Sequence, residues 1–114
     1  MLALTMQAIQ ASLDGLAARQ RVIADNLANS ETPGYTAQTV SFEDSLSSAI
    51  GGGDPTQTSI TPGVTNDVRD GLGNNVSVDG ETLSMIDTGL RYQLMTESMN
   101  NKFRVLHDSM RQDL

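Results

Sequence analysis

Cysteine and tryptophan are both absent from this 114-residue chain, and aromatic residues make up only 4% of it. Without cysteine there is no disulfide framework and no thiolate metal site. The same absence suits a protein that crosses a membrane unfolded. With few aromatics and a hydrophobic fraction of 38%, the chain is lean for a closed core of its own. Its length allows one domain at most. Basic residues are scarce as well: seven Lys and Arg stand against fourteen Asp and Glu, a net charge of −7. Nucleic-acid binding needs clustered cations to replace phosphate counterions, and the seven form no such patch, so no nucleic-acid partner is expected. A charged fraction of 18% is also too low for a highly charged disordered chain. No apolar run reaches the ~18–20 residues of a bilayer span, so no direct membrane insertion is expected. The opening MLALTMQAIQASLDGLAARQ lacks the basic start and continuous apolar stretch of a cleaved signal peptide. Any export is therefore expected to use another route.

What is present falls into three segments: 1–35, 36–76 and 77–114. In the first, apolar residues recur at Leu2, Met6, Ile9, Leu13, Leu16, Ile23 and Leu27, with Gln20 in the one gap. This is a heptad stripe, and it predicts a helix over 2–28. Ala and Gln between the stripe positions favour helix, while Gly15 costs roughly 1 kcal/mol relative to alanine. The helix is expected to stop near Asn29, because Pro33 disfavours helical geometry at Thr32. Thr32-Pro33-Gly34-Tyr35 fits a type II turn, with proline second and a glycine supplying positive φ third. The middle segment is rich in Ser, Thr, Gly, Asn and Asp and reads mostly as a long loop, broken at Gly51-Gly52-Gly53-Asp54-Pro55 and Thr61-Pro62-Gly63. One island, Val40 to Ile50, is expected to form a short helix with Phe42, Leu46 and Ile50 on one side. Short strands are expected around Ile60 to Val68. A loop this long in a compact domain is usually functional or disordered.

The last segment predicts a helix from about 80 to 112. Asp79 is the expected N-cap, with Val78 and Leu83 placed for a hydrophobic staple and Glu81 at the positive end of the dipole. Leu83, Ile86, Leu90 and Leu94 form one stripe. Met95, Met99, Phe103, Leu106 and Met110 continue it, shifted by one position. Four of the six methionines lie here, a composition that adapts to varied surfaces or simply fills a core. The fold class expected is mainly α: two terminal helices paired as an antiparallel coiled coil, joined by a long irregular loop with at most short strands. The packing positions are Leu13, Leu16, Ile23 and Leu27 on the first helix, and Leu90, Leu94, Met99, Phe103 and Leu106 on the last. An isolated pair of this kind is marginal against the backbone entropy of ordering it, so partners are expected.

No catalytic constellation is present, and the chain is expected not to be an enzyme. His107 is the only histidine and lies beside Asp108, an ordinary surface pair. Gly51-Gly52-Gly53-Asp54 lacks the Lys-Ser/Thr of a phosphate loop. Asp67 and Asp70 lack the spacing of a calcium loop. Glu43 and Asp44 are adjacent, so they do not share a helix face. Asn74-Asn75 reads as turn material. No cofactor or metal is expected.

The stretch Arg19-Gln20-Arg21-Val22-Ile23-Ala24-Asp25-Asn26-Leu27-Ala28-Asn29-Ser30-Glu31-Thr32-Pro33-Gly34-Tyr35 is far more specific than a generic helix and turn. It resembles the N-terminal signature of the bacterial flagellar rod and hook proteins, an Asn-(Ile/Leu)-Ala-Asn core followed by Thr-Pro-Gly-Tyr. Ser30-Glu31 before Thr32 narrows the likeness to the proximal rod. Gly73-Asn74-Asn75-Val76-Ser77-Val78-Asp79 and Leu90-Arg91-Tyr92-Gln93 resemble matching stretches near the other end, with Gly80 departing from the usual better helix former. The resemblance implies terminal helices that pair in the inner tube of a helical assembly, a rod crossing the periplasm, and transmission of torque. It implies copies of itself, other rod proteins, rod-base or MS-ring junction components and the flagellar type III export apparatus as partners. It also implies export without a cleaved signal. Asn26, Asn29, Thr32, Pro33, Gly34 and Tyr35 would then be an assembly motif. Asn26 and Asn29 either tie the helix end to a neighbouring subunit or solvate and cap it. Pro33 and Gly34 set the exit direction of the chain, and Tyr35 holds the loop against a helix. Phe42 and Leu46 resemble the Phe-x-x-x-apolar signal of early export substrates. Competing readings are another rod paralogue and a helical adaptor or export-chaperone-like protein.

Overall fold

The computed structural model describes residues 1–112. The C-terminal segment expected over 77–114 therefore includes two residues that lie outside the described ones. Helix α1 spans Leu2–Ala28 and helix α3 spans Val78–Gln112. Between them come strand β1 at Gln38–Val40, helix α2 at Glu43–Gly51, a 3-10 turn at Pro55–Gln57, and strand β2 at Pro62–Val64. The molecule is long and thin, with principal extents of 67 × 26 × 14 Å. Val22 and Ile23 line one cleft with Glu81 and Ser84, whereas Ser12 and Leu16 line another with Arg91 and Met95. The two long helices therefore run antiparallel. The last turns of α3, from about Phe103 onward, reach and pass the start of α1.

β1 and β2 pair antiparallel, with Gln38 opposite Val64, Thr39 opposite Gly63 and Val40 opposite Pro62. Val40 was expected to open the helix of the middle segment and instead closes a strand. The cause is local. The carbonyl oxygen of Val40 accepts hydrogen bonds from Nε and Nη2 of Arg19 at 3.0 and 2.8 Å, which ties this stretch across α1 in an extended form. α2 starts only after Phe42. The core is small: Leu16, Val22, Val40 and Phe42 pack together, with Ala18, Leu46, Ile60 and Met95 around them. It lies between α1 and the middle segment as much as between α1 and α3.

Two further expectations are corrected at α3. Ser77, not Asp79, caps the helix, accepting from the Gly80 backbone N–H at 3.2 Å. With the cap moved back, Val78 and Leu83 are no longer at staple positions, and both are exposed. The larger correction concerns the stripe. Leu90 is 64% exposed and does not pack on α1, and Leu83 and Ile86 are exposed beside it; Leu94, 57% exposed, reaches only the edge of the cleft that Ser12 and Leu16 line. α3 turns Glu81, Thr88, Met95, Ser98, Met99 and Lys102 toward α1, and each of these is buried or half-buried. At about 3.6 residues per turn, the Leu83–Leu94 stripe lies nearly half a turn away from Thr88. Phe103 and Leu106 are on the inward side but are also exposed, because α1 ends beside them. Met99 is half-buried. On α1, Leu16 and Ile23 are buried, while Leu13 and Leu27 are half-buried.

Candidate assembly site

The residues around the turn after α1 form a hydrogen-bonded clamp. Asn26 is the centre of it and is 0% exposed. Its Nδ2 donates to the Gln38 carbonyl at 2.8 Å. Its Oδ1 accepts from the Gln38 N–H at 3.0 Å and from the Tyr35 hydroxyl at 3.3 Å. One carboxamide thus satisfies both polar groups of the residue that begins β1, and Tyr35 closes over it. Asn29 ends α1 in the capping sense: its Nδ2 donates to the Asp25 carbonyl at 2.9 Å, and its Oδ1 accepts from the Thr32 hydroxyl at 3.0 Å. Of the two readings open for these asparagines, the geometry of both is internal to the chain. Asn26 has no exposed face to offer a neighbour.

The turn itself has its expected form. The Tyr35 N–H donates to the Thr32 carbonyl at 3.2 Å, and Gly34 has φ +75°. An L side chain rarely adopts that conformation, which is why glycine stands there. The Gly34 N–H donates to the Leu72 carbonyl at 2.8 Å, so the turn is held from the far side by the stretch that leads into α3. Pro33 and Gly34 are exposed at the tip.

That far side holds the residues that sequence reasoning missed. Asn74 and Asn75, read as turn material, are both buried. Asn74 Nδ2 donates to the carbonyls of Asn29 and Thr32, each at 2.8 Å, and its Oδ1 accepts from Val76 N–H at 2.8 Å. Asn75 Oδ1 accepts from the Ala37 N–H at 2.6 Å, while its Nδ2 donates to the Thr65 hydroxyl at 3.0 Å. Arg69 adds donors to the Gly73 carbonyl and the Thr36 hydroxyl. The signal available in the sequence was the pairing of two polar clusters, Asn26 to Tyr35 and Arg69 to Asn75, each too polar for a core and too specific for a linker. Buried polar groups are tolerated only when bonded, and among the described residues no buried side-chain polar atom is without a partner.

A second cluster surrounds Phe42, which is 2% exposed. Its ring lies flat on Gly15: a Cβ at that position would sit 2.5 Å from the ring carbons. The Arg19 guanidinium stands over the ring, 5.0 Å from its centroid, and its Nη2 also meets Glu43 Oε1 at 2.5 Å. Partial burial pulls the Glu43 pKa upward, but the Arg19 donor and charge, with backbone N–H donors, outweigh it and hold the carboxyl below its ordinary 4.5. Leu46 is half-buried next to this cluster. Across the helix pair, Glu81 has the opposite shift. Burial raises its pKa above 4.5, Asn26 offsets part of the rise, and the charge of Asp67 adds to it.

Little else invites chemistry. His107 and Asp108 stand 3.8 Å apart, both largely exposed. Among the described residues no three His, Cys, Asp or Glu side chains gather where a metal ion could be held. Among them, too, no helix is long and apolar enough to cross a membrane.

The sequence profile described as "Flagella basal body rod protein" matches residues 5–36, which cover most of α1 and the turn. The "Flagellar basal body rod protein FlgB" of Bacillus subtilis (strain 168) is 30% identical over 117 aligned residues, covering 90% of this chain and 89% of its own length. The proteins of the same name from Borreliella burgdorferi and Borrelia hermsii are 29% and 31% identical, over 83% and 81% of this chain and 87% and 84% of their own lengths. With likeness running from α1 through the middle segment into α3, the chain belongs to the flagellar basal body rod proteins of the FlgB family.

Proposed function

We propose that this chain, a structural subunit of the flagellar basal body rod, builds the proximal part of that rod by assembling helically with copies of itself and with other rod proteins. In that position it meets components at the rod base and MS ring, carries torque across the periplasm and lines the channel through which later subunits pass. It acts as a building element without catalysis. The observation that carries the reading is the end-to-end likeness to FlgB, over 90% of the chain. It is supported by a helix pair whose largest apolar side chains on α3 are left uncovered. Deletion of the gene tests it. Loss of rod assembly and motility with early ring components retained is expected, and normal flagella would overturn it.

Export precedes assembly in this reading, through the flagellar type III apparatus and without a cleaved signal. The assigned signal is Phe42 with Leu46. Phe42 is buried on Gly15 in the folded chain, so recognition of its ring requires a chain that has not yet folded. A Phe42→Ala variant is expected to accumulate inside the cell and to be lost from the exported fraction. Export at the wild-type level would remove Phe42 from the assignment.

A further inference from the structure

Glu81 lies half-buried near the start of α3. Among the described residues it forms no ion pair: the pairs are Arg19 with Glu43, Arg91 with Asp87 and His107 with Asp108. Its carboxyl borders an open cleft of about 200 Å³ between α1, β1 and α3. The buried residues Val22, Ile23 and Val40 supply the apolar lining of this cleft, and the exposed residues Gln38, Thr39 and Ser84 supply polar lining. Burial without a counter-charge disfavours an ionised carboxyl, and the Glu81 pKa is raised accordingly, with the charge of Asp67 adding to the rise.

This lining selects among occupants. An anion would be repelled by Glu81 and Asp67. A metal ion would lack ligands, since among the described residues no three His, Cys, Asp or Glu side chains gather. A purely apolar group would cover Val22, Ile23 and Val40 but leave a carboxylate shut in without a partner, which is costly. A cation on an aliphatic stem satisfies both surfaces: its methylenes cover apolar area while its head stays at the polar mouth. Lysine and arginine side chains are built in this way. The size agrees, because pockets for drug-sized ligands are larger, at ~300–1,000 Å³.

The basic residues of the chain near the cleft are used elsewhere. Arg19 lines it, but its guanidinium is bonded to Val40 and Glu43 and stands over the Phe42 ring. Arg69 donates to the Gly73 carbonyl and the Thr36 hydroxyl. Arg91 is paired with Asp87. Arg21 is exposed, two residues from both Arg19 and Ile23 and so on the other side of α1. Lys102 is ~32 Å further along α3, at about 1.5 Å per residue. A second copy carries the same net charge of −7 and is repelled, so a different, basic protein is the better source.

We propose that the cleft between α1, β1 and α3 is a socket for one lysine or arginine side chain of a different rod protein, with its stem on Val22, Ile23 and Val40 and its charged head against Glu81. The inference rests on the rod reading for where the partner is met, while the chemistry of the socket stands apart from it.

The socket is tested by titrating the isotopically labelled full-length chain with N-acetyl-lysine methylamide and N-acetyl-arginine methylamide at neutral pH and low ionic strength. Shifts of the amide resonances of Thr39, Val40, Glu81 and Ser84 are expected, with no matching response to N-acetyl-norleucine methylamide, which has the stem without the charge. Glu81→Gln is expected to weaken binding by about tenfold or more, as loss of one partner of a charged hydrogen bond does, with helicity by circular dichroism retained. Leu90→Gln is expected to bind as the wild type does. Shifts confined to other residues, an equal response to the norleucine compound, or undiminished binding by Glu81→Gln would each overturn the socket. Its occupant is tested in cells with Ser84→p-benzoylphenylalanine and ultraviolet light. A cross-link to a peptide of another rod protein that contains lysine or arginine is expected, and its yield should fall with Glu81→Gln. A product between two copies of this chain, a peptide without a basic residue, or no product would overturn the assigned occupant. Gene deletion judges the rod role separately: normal flagella would remove that role, whereas failed titration with rods still lost on deletion would remove only the socket.

Discussion

Gly15 occupies a position where alanine would be the better helix former, and the ring of Phe42 is the reason. A methyl group there would meet three ring carbons at 2.5–2.6 Å, closer than van der Waals contact permits. Gly15→Ala should therefore destabilise the chain by about 1–3 kcal/mol, as overpacking does, against the roughly 1 kcal/mol that propensity alone would return. Thermal melting checks the sign: a higher Tm would mean that Phe42 has no fixed seat. Two carboxylates give opposite pH behaviour. Glu43 has a lowered pKa, so its stabilisation is present above 4.5 and is lost as pH falls through the folded value. Glu81 has a raised pKa, so its charged form opposes folding; that cost is absent below 4.5 and grows as pH rises through the folded value. Glu43→Gln should lower Tm at neutral pH, and Glu81→Gln should raise it. Both differences should vanish in acid. Equal differences at all pH values would show that the substitutions act by shape and not by charge.

Among the elements, α1 and α3 differ in what their apolar residues do. Those of α1 are used within the chain, since the helix is covered by α3 on one side and by β1 and Phe42 on another. Leu16→Ala should cost about 2–5 kcal/mol, the usual range for a large core side chain cut to alanine. Leu90→Gln should shift the stability of the isolated chain by only about 0.5 kcal/mol, as surface changes do. Denaturant melts of the two variants test this directly, and a large loss with Leu90→Gln would place that residue in the helix pair after all. The heptad spacing of α1 located the helix from Leu2 to Ala28. On α3 spacing was insufficient, because the helix carries two apolar arcs and periodicity does not say which one turns inward. Its rotation is set by attachments before it begins: Asn74 to Asn29 and Thr32, Asn75 to Ala37 and Thr65, and the Ser77 cap. These bring Thr88 and Met95 to α1. The bonds of Asn74 and Asn75 to Asn29, Thr32 and Ala37 are long-range, between residues whose types are compatible with any loop.

At the scale of the molecule, the shape is 67 Å long and 14 Å thin; among the described residues only eight apolar residues are buried, four of them in one cluster ringed by half-buried ones. So little burial leaves the entropy of ordering two long helices barely offset. Association should supply the remainder, because anything that binds the folded state stabilises it in proportion to its concentration. The Tm and helicity of the purified chain are expected to rise with protein concentration. A cooperative melt that is fully helical and independent of concentration would show that the monomer stands alone. The middle segment also changes meaning at this scale. Its composition is that of a linker, yet it returns to α1 through Val40, Phe42 and the paired strands β1 and β2. A polar segment can be ordered without a large core when its backbone groups find fixed partners, and here asparagine side chains supply many of them.

By itself the sequence determined the helical ends, the stop at the Thr-Pro-Gly-Tyr turn and the family. Each of these rests on local chemistry: heptad spacing, the geometry of proline and glycine, and a contiguous motif. The tertiary structure decided three things. It buried Asn26, Asn74 and Asn75 as a clamp, seated Phe42 on Gly15, and turned the Leu83–Leu94 face of α3 outward. All three depend on residues far apart in the chain meeting at a specific angle. Side-chain type limits such meetings but does not select among them, because the selection comes from which partners the rest of the fold brings within reach.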